Sequence, residues 1–190
     1  MPPRSVTSRS QPTRDRILDA ARALFATHGY EGTTLRDVAL QAGANVALVI
    51  RYYESKEALF AQAASFELKL PDLAELDPQA MGEQLVSHFL SIWEDEATGR
   101  QLVALLKAAV SHAAAKARMQ EIFQSQLLAA VQTLGCKPPE AKTRAALIAS
   151  QMLGLALVRY VLELPSASLD RPTTIRVLGR TVQRYLTEPL

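Results

Sequence analysis

Apolar residues recur every three or four positions along most of the chain, which is the spacing of one face of an α-helix. Apolar and polar residues nowhere alternate over a run long enough for a convincing β-strand. The pattern predicts about nine helices, over residues 13–28, 35–42, 46–53, 56–70, 79–95, 98–112, 113–134, 140–164 and 173–186. We therefore predict an all-α protein, in which a three-helix N-terminal domain precedes a bundle of about five to six helices.

Two short helices with a tight turn between them are predicted over residues 33–56. Thr34 is a good N-cap for the first, and Asp37 three residues later can complete a capping box. Gly43 follows the last apolar position of that helix and can take the left-handed conformation that ends helices. Asn45 can then cap the second helix.

The spacing within this stretch favours a helix-turn-helix. Two helices that cross steeply need a small residue on the first, a flexible residue in the turn and an apolar residue on the second. Ala39, Gly43 and Val49 occupy these three positions. The alternative is an ordinary helical hairpin within a bundle, because short motifs also match by chance.

Charge is distributed unevenly, although the formal net charge is only +2. Residues 1–16 carry four arginines and one aspartate, whereas residues 67–100 carry eight acidic residues against two basic ones. A basic arm before a helix-turn-helix is an electrostatic footprint for nucleic acid. The same composition suits a solvated tail, and we assign residues 1–12 as a disordered basic arm.

Candidate catalytic and metal-binding residues are few. His28, His88 and His112 are far apart in the sequence, and Cys136 is the only cysteine. No HExxH, phosphate loop or nucleophile elbow occurs, and the ligand spacing of a structural zinc site is missing. We therefore predict neither an enzyme nor a cofactor or metal site. A single cysteine cannot form an intrachain disulfide, which fits a cytoplasmic location.

One apolar run, residues 145–164, approaches the length of a membrane span. Gln151, Arg159 and Glu163 interrupt it, and charges inside a span are costly. The N-terminus also lacks the apolar core of a signal peptide. The run is therefore predicted to be a helix that protein buries on nearly all sides, in a chain that does not associate with a membrane.

Residues 13–60 resemble the DNA-binding domain of the TetR family of bacterial transcriptional regulators. The resemblance rests on Phe-x-x-x-Gly-Tyr, Thr-Thr, Ala-Gly and Tyr-x-Ser-Lys-Glu motifs, here Phe25, Gly29, Tyr30, Thr33, Thr34, Ala42, Gly43, Tyr53, Ser55, Lys56 and Glu57. It implies a helix-turn-helix DNA-binding domain over residues 13–57 and a ligand-binding and dimerisation domain over 58–190. Phrases such as LVIRYYESKE are similar to an actinobacterial-type subgroup.

Four positions of the second helix depart from the usual family pattern. Asn45 stands where Ser is usual, and Val46 stands where a basic or polar residue is common. Ile50 replaces a frequent Tyr, and Tyr52 replaces a frequent His. The family's contacts at these positions therefore cannot be carried over unchanged.

The predicted contacts with double-stranded DNA divide into base-reading and phosphate-binding groups. Asn45 can pair with adenine and Arg51 with guanine or a phosphate, although Arg51 could instead pair with Glu54. The apolar groove-facing residues, which can touch only thymine methyl groups, are Val46, Ala47 and Ile50. The predicted phosphate contacts are Thr33, Thr34, Arg36, Tyr52 and Lys56. For Tyr52, packing against the core is an equally open alternative.

The resemblance also implies a homodimer formed by the last two helices. A helix-turn-helix domain that recognises one short half-site gains useful specificity when it binds a pseudo-palindrome as a dimer. The residues predicted to meet the partner are Ala145, Ala149, Met152, Gly154, Arg159 and Tyr160. Small residues allow close approach, and the polar pair could fix the register.

A small-molecule effector in the C-terminal domain is likewise implied by the resemblance. The candidate pocket residues are polar or aromatic groups on apolar faces, namely His88, Trp93, Met119, Phe123, Gln126 and Gln151, each of which could instead be ordinary core. A mostly apolar pocket implies a hydrophobic effector. The expected function is a repressor that the effector releases from its operator. The alternative is a helical protein–protein interaction module that does not bind DNA.

Overall fold

The described part of the chain, residues 11–65, 67–165 and 170–190 of a computed structural model, contains nine helices and no strand, which confirms the all-α prediction. The first six are α1 Gln11–His28, α2 Leu35–Gln41, α3 Val46–Tyr53, α4 Lys56–Ala63, α5 Met81–Trp93 and α6 Glu96–Ala109. Helix α7 comprises Ala113–Ile122, a π-helical turn Phe123–Leu127 and Leu128–Gln132. Helix α8 comprises Pro138–Ala156 and a π-helical turn Leu157–Val161, and α9 is Arg171–Thr187.

The helices form two compact units that interleave along the sequence. Unit 1 contains the described residues of Met1–Ser65 together with Arg100–Arg118. Unit 2 contains those of Phe66–Gly99 together with Met119–Leu190. The functional division at residue 57 remains a prediction, because compactness does not show what each unit does.

In unit 1, α1 packs on α2 and α4 around an aromatic cluster. The rings of Phe25 and Phe60 meet edge to face at 4.9 Å between centroids, and Tyr30 meets Phe60 at 5.1 Å. Helix α1 begins at Gln11, two residues earlier than predicted, because proline is well suited to the first turn of a helix. Gln11 and Pro12 are thus helical, and the rest of the predicted arm lies outside the described residues.

Helix α4 ends at Ala63, so the predicted helix over residues 56–70 is too long. Residues 67–70 lack regular structure, and Lys69 has φ +47°. A left-handed residue with a side chain costs about 1–2 kcal/mol. The conformation is held from outside the segment, since the backbone of Leu68 bonds to the side chains of His88 and Gln126.

Several helix ends in the rest of the chain differ from the predicted ones by a few residues. Helix α6 begins at Glu96, two residues before the predicted start, because Asp95 caps it: its Oδ1 accepts the Thr98 N–H at 2.8 Å. Asp170 caps α9 in the same way through the Thr173 N–H, also at 2.8 Å. Both carboxylates have a lowered pKa because these hydrogen bonds favour the charged form.

In unit 2, α5 and α9 approach until their backbones touch. A Cβ atom added to Gly82 would lie 2.2 Å from the backbone oxygen of Gly179. The Gln183 side chain locks the same crossing, because its Oε1 accepts the Gly82 N–H at 2.8 Å and its Nε2 donates to the Pro78 carbonyl at 2.7 Å. Glycine is therefore required on both helices for this contact.

We expect Gly82→Ala to destabilise the protein by about 1–3 kcal/mol, because overpacking must push the two helices apart. The free energy of unfolding in urea measures the change. Gln84→Ala, at an exposed position of the same helix, is the matched control and should stay within about 0.5 kcal/mol of the parent. An unchanged stability of the glycine variant would show that α5 and α9 do not touch at Gly82.

Candidate nucleic-acid interface

The joint between α2 and α3 has the capping and turn geometry that the sequence predicts. Thr34 Oγ1 accepts the Asp37 N–H at 3.2 Å, and Asp37 Oδ2 accepts the Thr34 N–H at 2.9 Å. The Thr34 hydroxyl also donates to this carboxylate, and these bonds lower the pKa of Asp37. Gly43 has φ +59°, and Asn45 Oδ1 caps α3 by accepting the Ala47 N–H at 2.8 Å. Both cap predictions are confirmed.

The outer face of α3 is largely apolar. Val49 and Tyr53 are buried, as predicted for the inner face. Ala47 and Arg51 are exposed, Val46 is half-buried, and the Ile50 side chain is 48% exposed. The outer face of α3 therefore presents apolar groups at Ala47 and Ile50 beside the cationic Arg51.

The polar residues of α3 differ in whether their side chains already make a contact within the helix. Since Asn45 Oδ1 already caps the helix, its side chain is oriented by its own backbone before any base contact. Arg51 is exposed, and in the described part of the chain no ion pair joins it to Glu54. Arg51 is therefore the base-reading candidate with the greatest reach.

Thr33 requires a correction. Its side chain is only 1% exposed, and its hydroxyl donates to the Gly29 carbonyl at 2.9 Å. A phosphate could not reach it without breaking that bond. Thr34, by contrast, is exposed at the N-cap of α2, and Arg36, two positions later, is also exposed.

Two cations lie against aromatic rings near the ends of α1, α3 and α4. The Arg14 guanidinium lies 5.7 Å from the Tyr52 ring centroid, and Lys56 Nζ lies 4.2 Å from that of Tyr30. The Tyr30 hydroxyl donates to Glu57 at 2.7 Å, and burial followed by this bond raises its pKa. Arg14 was not singled out from the sequence as a phosphate contact, and its only signal there is its place in the N-terminal basic stretch.

Two family models match the chain. Residues 17–63 match the model described as bacterial regulatory proteins, tetR family. Residues 79–186, more than half of the chain, match the model described as tetracyclin repressor-like, C-terminal domain. This chain belongs to the TetR family. Members of the family are transcriptional regulators and not enzymes, as the sequence predicts.

Individual relatives agree with this assignment. The chain is 42% identical over 64 residues to the HTH-type transcriptional repressor SCO4008 of Streptomyces coelicolor, and 40% identical over 58 residues to the repressor AcnR of Corynebacterium glutamicum. These matches span 34% and 30% of this chain, and only 32% and 31% of the two relatives. The solved structure of the TetR-family regulator SCO0857 of Streptomyces coelicolor is 32% identical, with 98% and 100% coverage and a TM-score of 0.64.

A second solved structure shows the same fold at lower identity. NalD of Pseudomonas aeruginosa, described as the secondary repressor of the MexAB-OprM multidrug efflux pump, is 24% identical. The match covers 95% of this chain and all of NalD, with a TM-score of 0.67. The TetR fold therefore extends over nearly the whole chain.

Unit 2 of this TetR-family chain brings two of the six predicted pocket residues together. His88 Nε2 lies 2.7 Å from the Leu68 carbonyl oxygen, and Gln126 Oε1 accepts the Leu68 N–H at 2.6 Å. An adjoining cleft of about 600 Å³ is lined by Glu67, Lys69, Leu70, Pro71, Asp72, Ser125, Gln126, Ala129, Ala130 and Thr133. Of the six, only Gln126 lines it. The cleft is more polar than the predicted hydrophobic pocket.

The other predicted pocket residues serve packing in unit 2. Trp93 is buried and stacks on Tyr160, with 5.5 Å between ring centroids and 13° between ring planes. Phe123 packs against the buried core cluster. Met119 and Gln151 are half-buried. These four are therefore not brought to the cleft.

The residues predicted to contact a dimer partner are partly buried in the core and partly accessible at the surface. Ala145 is fully buried and Met152 is 6% exposed in the core of unit 2, so neither can meet a partner directly. These two assignments are corrected. Ala149 is half-buried, whereas Gly154 is exposed with nothing within 4 Å of an added Cβ atom.

The polar dimer candidates are engaged within unit 2. Arg159 lies 3.2 Å from Glu94, and the Tyr160 hydroxyl donates to the same carboxylate at 3.4 Å. Burial and the nearby Glu94 raise the pKa of Tyr160 to about 12. Arg171 also pairs with Glu94. The cluster therefore joins α5, α8 and α9 of one chain, so these polar side chains already have contacts within it.

Helix α8 leaves an apolar face uncovered. Pro138–Val161 is long and apolar enough to cross a membrane by length and composition alone, and only 28% of its most apolar window is buried. One chain therefore buries only part of this helix, and the predicted burial on nearly all sides requires a second protein surface. Sequence reasoning missed the exposed large apolar side chains of α8 and α9, which are Leu157 and Val177 in the described part of the chain.

Proposed function

We propose that this chain is a transcriptional repressor that binds a pseudo-palindromic operator as a homodimer and leaves it when a small effector binds. Residues 13–57 would read DNA, and residues 58–190 would dimerise and hold the effector. The observation that carries the proposal is the exposed apolar and cationic face of α3, displayed by a capped helix-turn-helix. Two curated relatives of the chain are named as HTH-type transcriptional repressors, which supports the proposal.

Base recognition would depend on shape and on methyl contacts. Val46, Ala47 and Ile50 can pack on thymine C5-methyl groups, and Arg51 can reach a guanine or a phosphate. We expect half-sites rich in A·T pairs where the three apolar residues lie. Selection of binding sites from a random DNA library tests this. Recovery of only G·C-rich half-sites would contradict it.

Phosphate contacts would position the domain without reading sequence. The proposed set omits Thr33 and consists of Thr34, Arg36, Tyr52, Lys56 and Arg14. Contacts of Arg14 and Lys56 with aromatic rings orient both cations and keep their charge near the surface. The charge of this set supplies affinity that falls with salt.

We expect Arg51→Ala to weaken operator binding by about ten- to a hundredfold, because one direct contact of a charged side chain is worth about 1–3 kcal/mol. Fluorescence anisotropy with labelled operator DNA at several salt concentrations measures both the affinity and its salt slope. Lys142→Ala, an exposed cation on α8, is the matched control and should bind as the parent does.

The same titration separates the repressor from the alternative function. A helical protein–protein interaction module would show no DNA affinity that falls steeply with salt. A DNA-binding protein that neutralises several phosphates must show one. Absence of such binding in the parent protein would overturn the proposal.

The dimer would form through the uncovered faces of α8 and α9. Gly154, Leu157 and Val177 replace the buried Ala145 and Met152 at the centre of the proposed interface. TetR regulators are soluble DNA-binding proteins, so a second copy is a better cover for this apolar face than a membrane. Burying exposed apolar area at about 25 cal/mol per Å² drives such association.

A further inference from the structure

The side chains of His88 and Gln126 form a donor–acceptor pair whose roles the structure fixes. A backbone N–H can only donate, so Gln126 Oε1 must be the acceptor at 2.6 Å from the Leu68 nitrogen. A backbone carbonyl can only accept, so His88 Nε2 must carry a hydrogen and donate across 2.7 Å. One residue of the chain, Leu68, therefore bonds to both side chains.

The segment that supplies this residue, residues 67–70, has no regular structure, although Leu70 packs against the core of unit 2. Lys69 beside Leu68 adopts the left-handed conformation. Such backbone persists only where surrounding contacts impose it. The two bonds to Leu68 are contacts of that kind, so their loss would favour release of the segment, with the packing of Leu70 as the remaining contact.

A cleft adjoins the segment and reaches one member of the pair. Its volume of about 600 Å³ suits a small molecule, and Pro71, Ala129 and Ala130, which lie outside residues 67–70, give it an apolar lining. The π-helical turn Phe123–Leu127 places Ser125 and Gln126 at its edge. Turns of this type interrupt helices most often at functional sites.

We propose that Leu68 occupies an effector site as an internal surrogate, and that the effector displaces residues 67–70 by offering the same two groups. The inference rests on the proposed function, since it names the chemistry that the regulatory unit recognises. The N–H and C=O bonded here flank a single α-carbon that carries a branched apolar side chain. The matching ligand class is an N-acylated α-amino acid derivative, such as an amide, an ester or a lactone.

The full-length protein and N-acetyl-L-leucine N-methylamide, which copies Leu68 and its two peptide groups, test the proposal. Hydrogen exchange followed by mass spectrometry reports the Leu68 amide, and trypsin cleavage after Lys69 reports release of the segment. We expect the probe to raise both saturably. Gln126→Ala should raise Leu68 exchange about five- to tenfold without any probe, because one hydrogen bond is lost.

Two matched controls make the result specific. The N-methylamide of 4-methylpentanoic acid keeps the side chain and carbonyl but lacks the acylated N–H, and it should release the segment far less. Gln124→Ala changes an exposed glutamine of the same π-helical turn and should leave Leu68 protected. Equal action of the two compounds, no action of the probe, or rapid Leu68 exchange in the parent would overturn the proposal.

A DNA-binding measurement separates failure of the proposed ligand class from failure of the proposed repressor function. If the parent binds DNA with steep salt dependence and the probe leaves Leu68 protected, the ligand class is wrong and the repressor proposal stands. If the parent does not bind DNA, the repressor proposal fails whatever happens at Leu68. Release of the segment by the probe together with weaker DNA binding supports both.

Discussion

Leu157→Glu is expected to convert the proposed dimer to monomers and to lower operator affinity by at least about thirtyfold. The side chain is 40% exposed on the uncovered face of α8. Residues at the centre of an interface contribute about 2 kcal/mol or more, and a carboxylate placed there would also lose hydration without a partner. Each monomer would then reach only one half-site.

Sedimentation equilibrium gives the oligomeric state, and anisotropy with operator DNA gives the affinity. Gln84→Glu adds the same charge at an exposed position of α5 and should change neither. A Leu157→Glu protein that remains dimeric at the concentration of the parent would show that the partner covers another surface. A monomeric parent would refute the proposed dimer altogether.

Arg144→Met is expected to destabilise the protein by about 2–4 kcal/mol, although methionine preserves most of the apolar volume. The guanidinium is 6% exposed, and it donates to Glu140 Oε1 at 3.0 and 2.6 Å. It also donates to the Glu188 carbonyl at 2.9 Å and to that of Tyr185. Its loss would leave the last carbonyls of α9 without these donors.

Urea unfolding at a fixed protomer concentration measures this change, because dimerisation adds to apparent stability. Lys142→Met on the same helix is exposed and should stay within about 0.5 kcal/mol. Arg144→Lys should rescue little, since a single ammonium group cannot reproduce the planar fork that joins one carboxylate to two carbonyls. Full rescue by lysine would mean that charge alone accounts for the role of Arg144.

The parts of the fold that sequence predicts well depend on neighbouring residues. Thr34 and Asp37 satisfy each other's backbone within three positions, and Asn45 caps α3 through a residue two positions away. Such contacts are encoded locally, so pattern and residue type are enough. The same holds for Val49, because helical spacing alone assigns it to the inner face.

The segment after α4 could not be predicted, because distant side chains decide its conformation. Residues 67–70 continue the apolar spacing of a helix, yet Leu68 bonds to groups 20 and 58 positions away. Those two hydrogen bonds draw its peptide groups away from helical partners. Spacing along one helix carries no information about such partners.

The predicted dimer contacts Ala145 and Met152 on α8 were wrong for a different reason. The helix is apolar nearly all round, so its periodicity does not distinguish the side that faces its own core from the side left outside. Ala145 and Leu157 are equally suitable from sequence, but packing on α5 and α9 buries the first and exposes the second. Thr33 was misassigned similarly, since only the fold reveals that its hydroxyl bonds to Gly29.

The contact of α5 with α9 limits where unit 2 can move. At Gly82 and Gly179 no side chain separates the two backbones, so neither helix can slide or rotate without breaking contact or colliding. Together the two helices form a fixed frame, and other segments of unit 2 would move relative to it. Any effector-driven displacement within this unit must therefore be taken up by segments outside the frame.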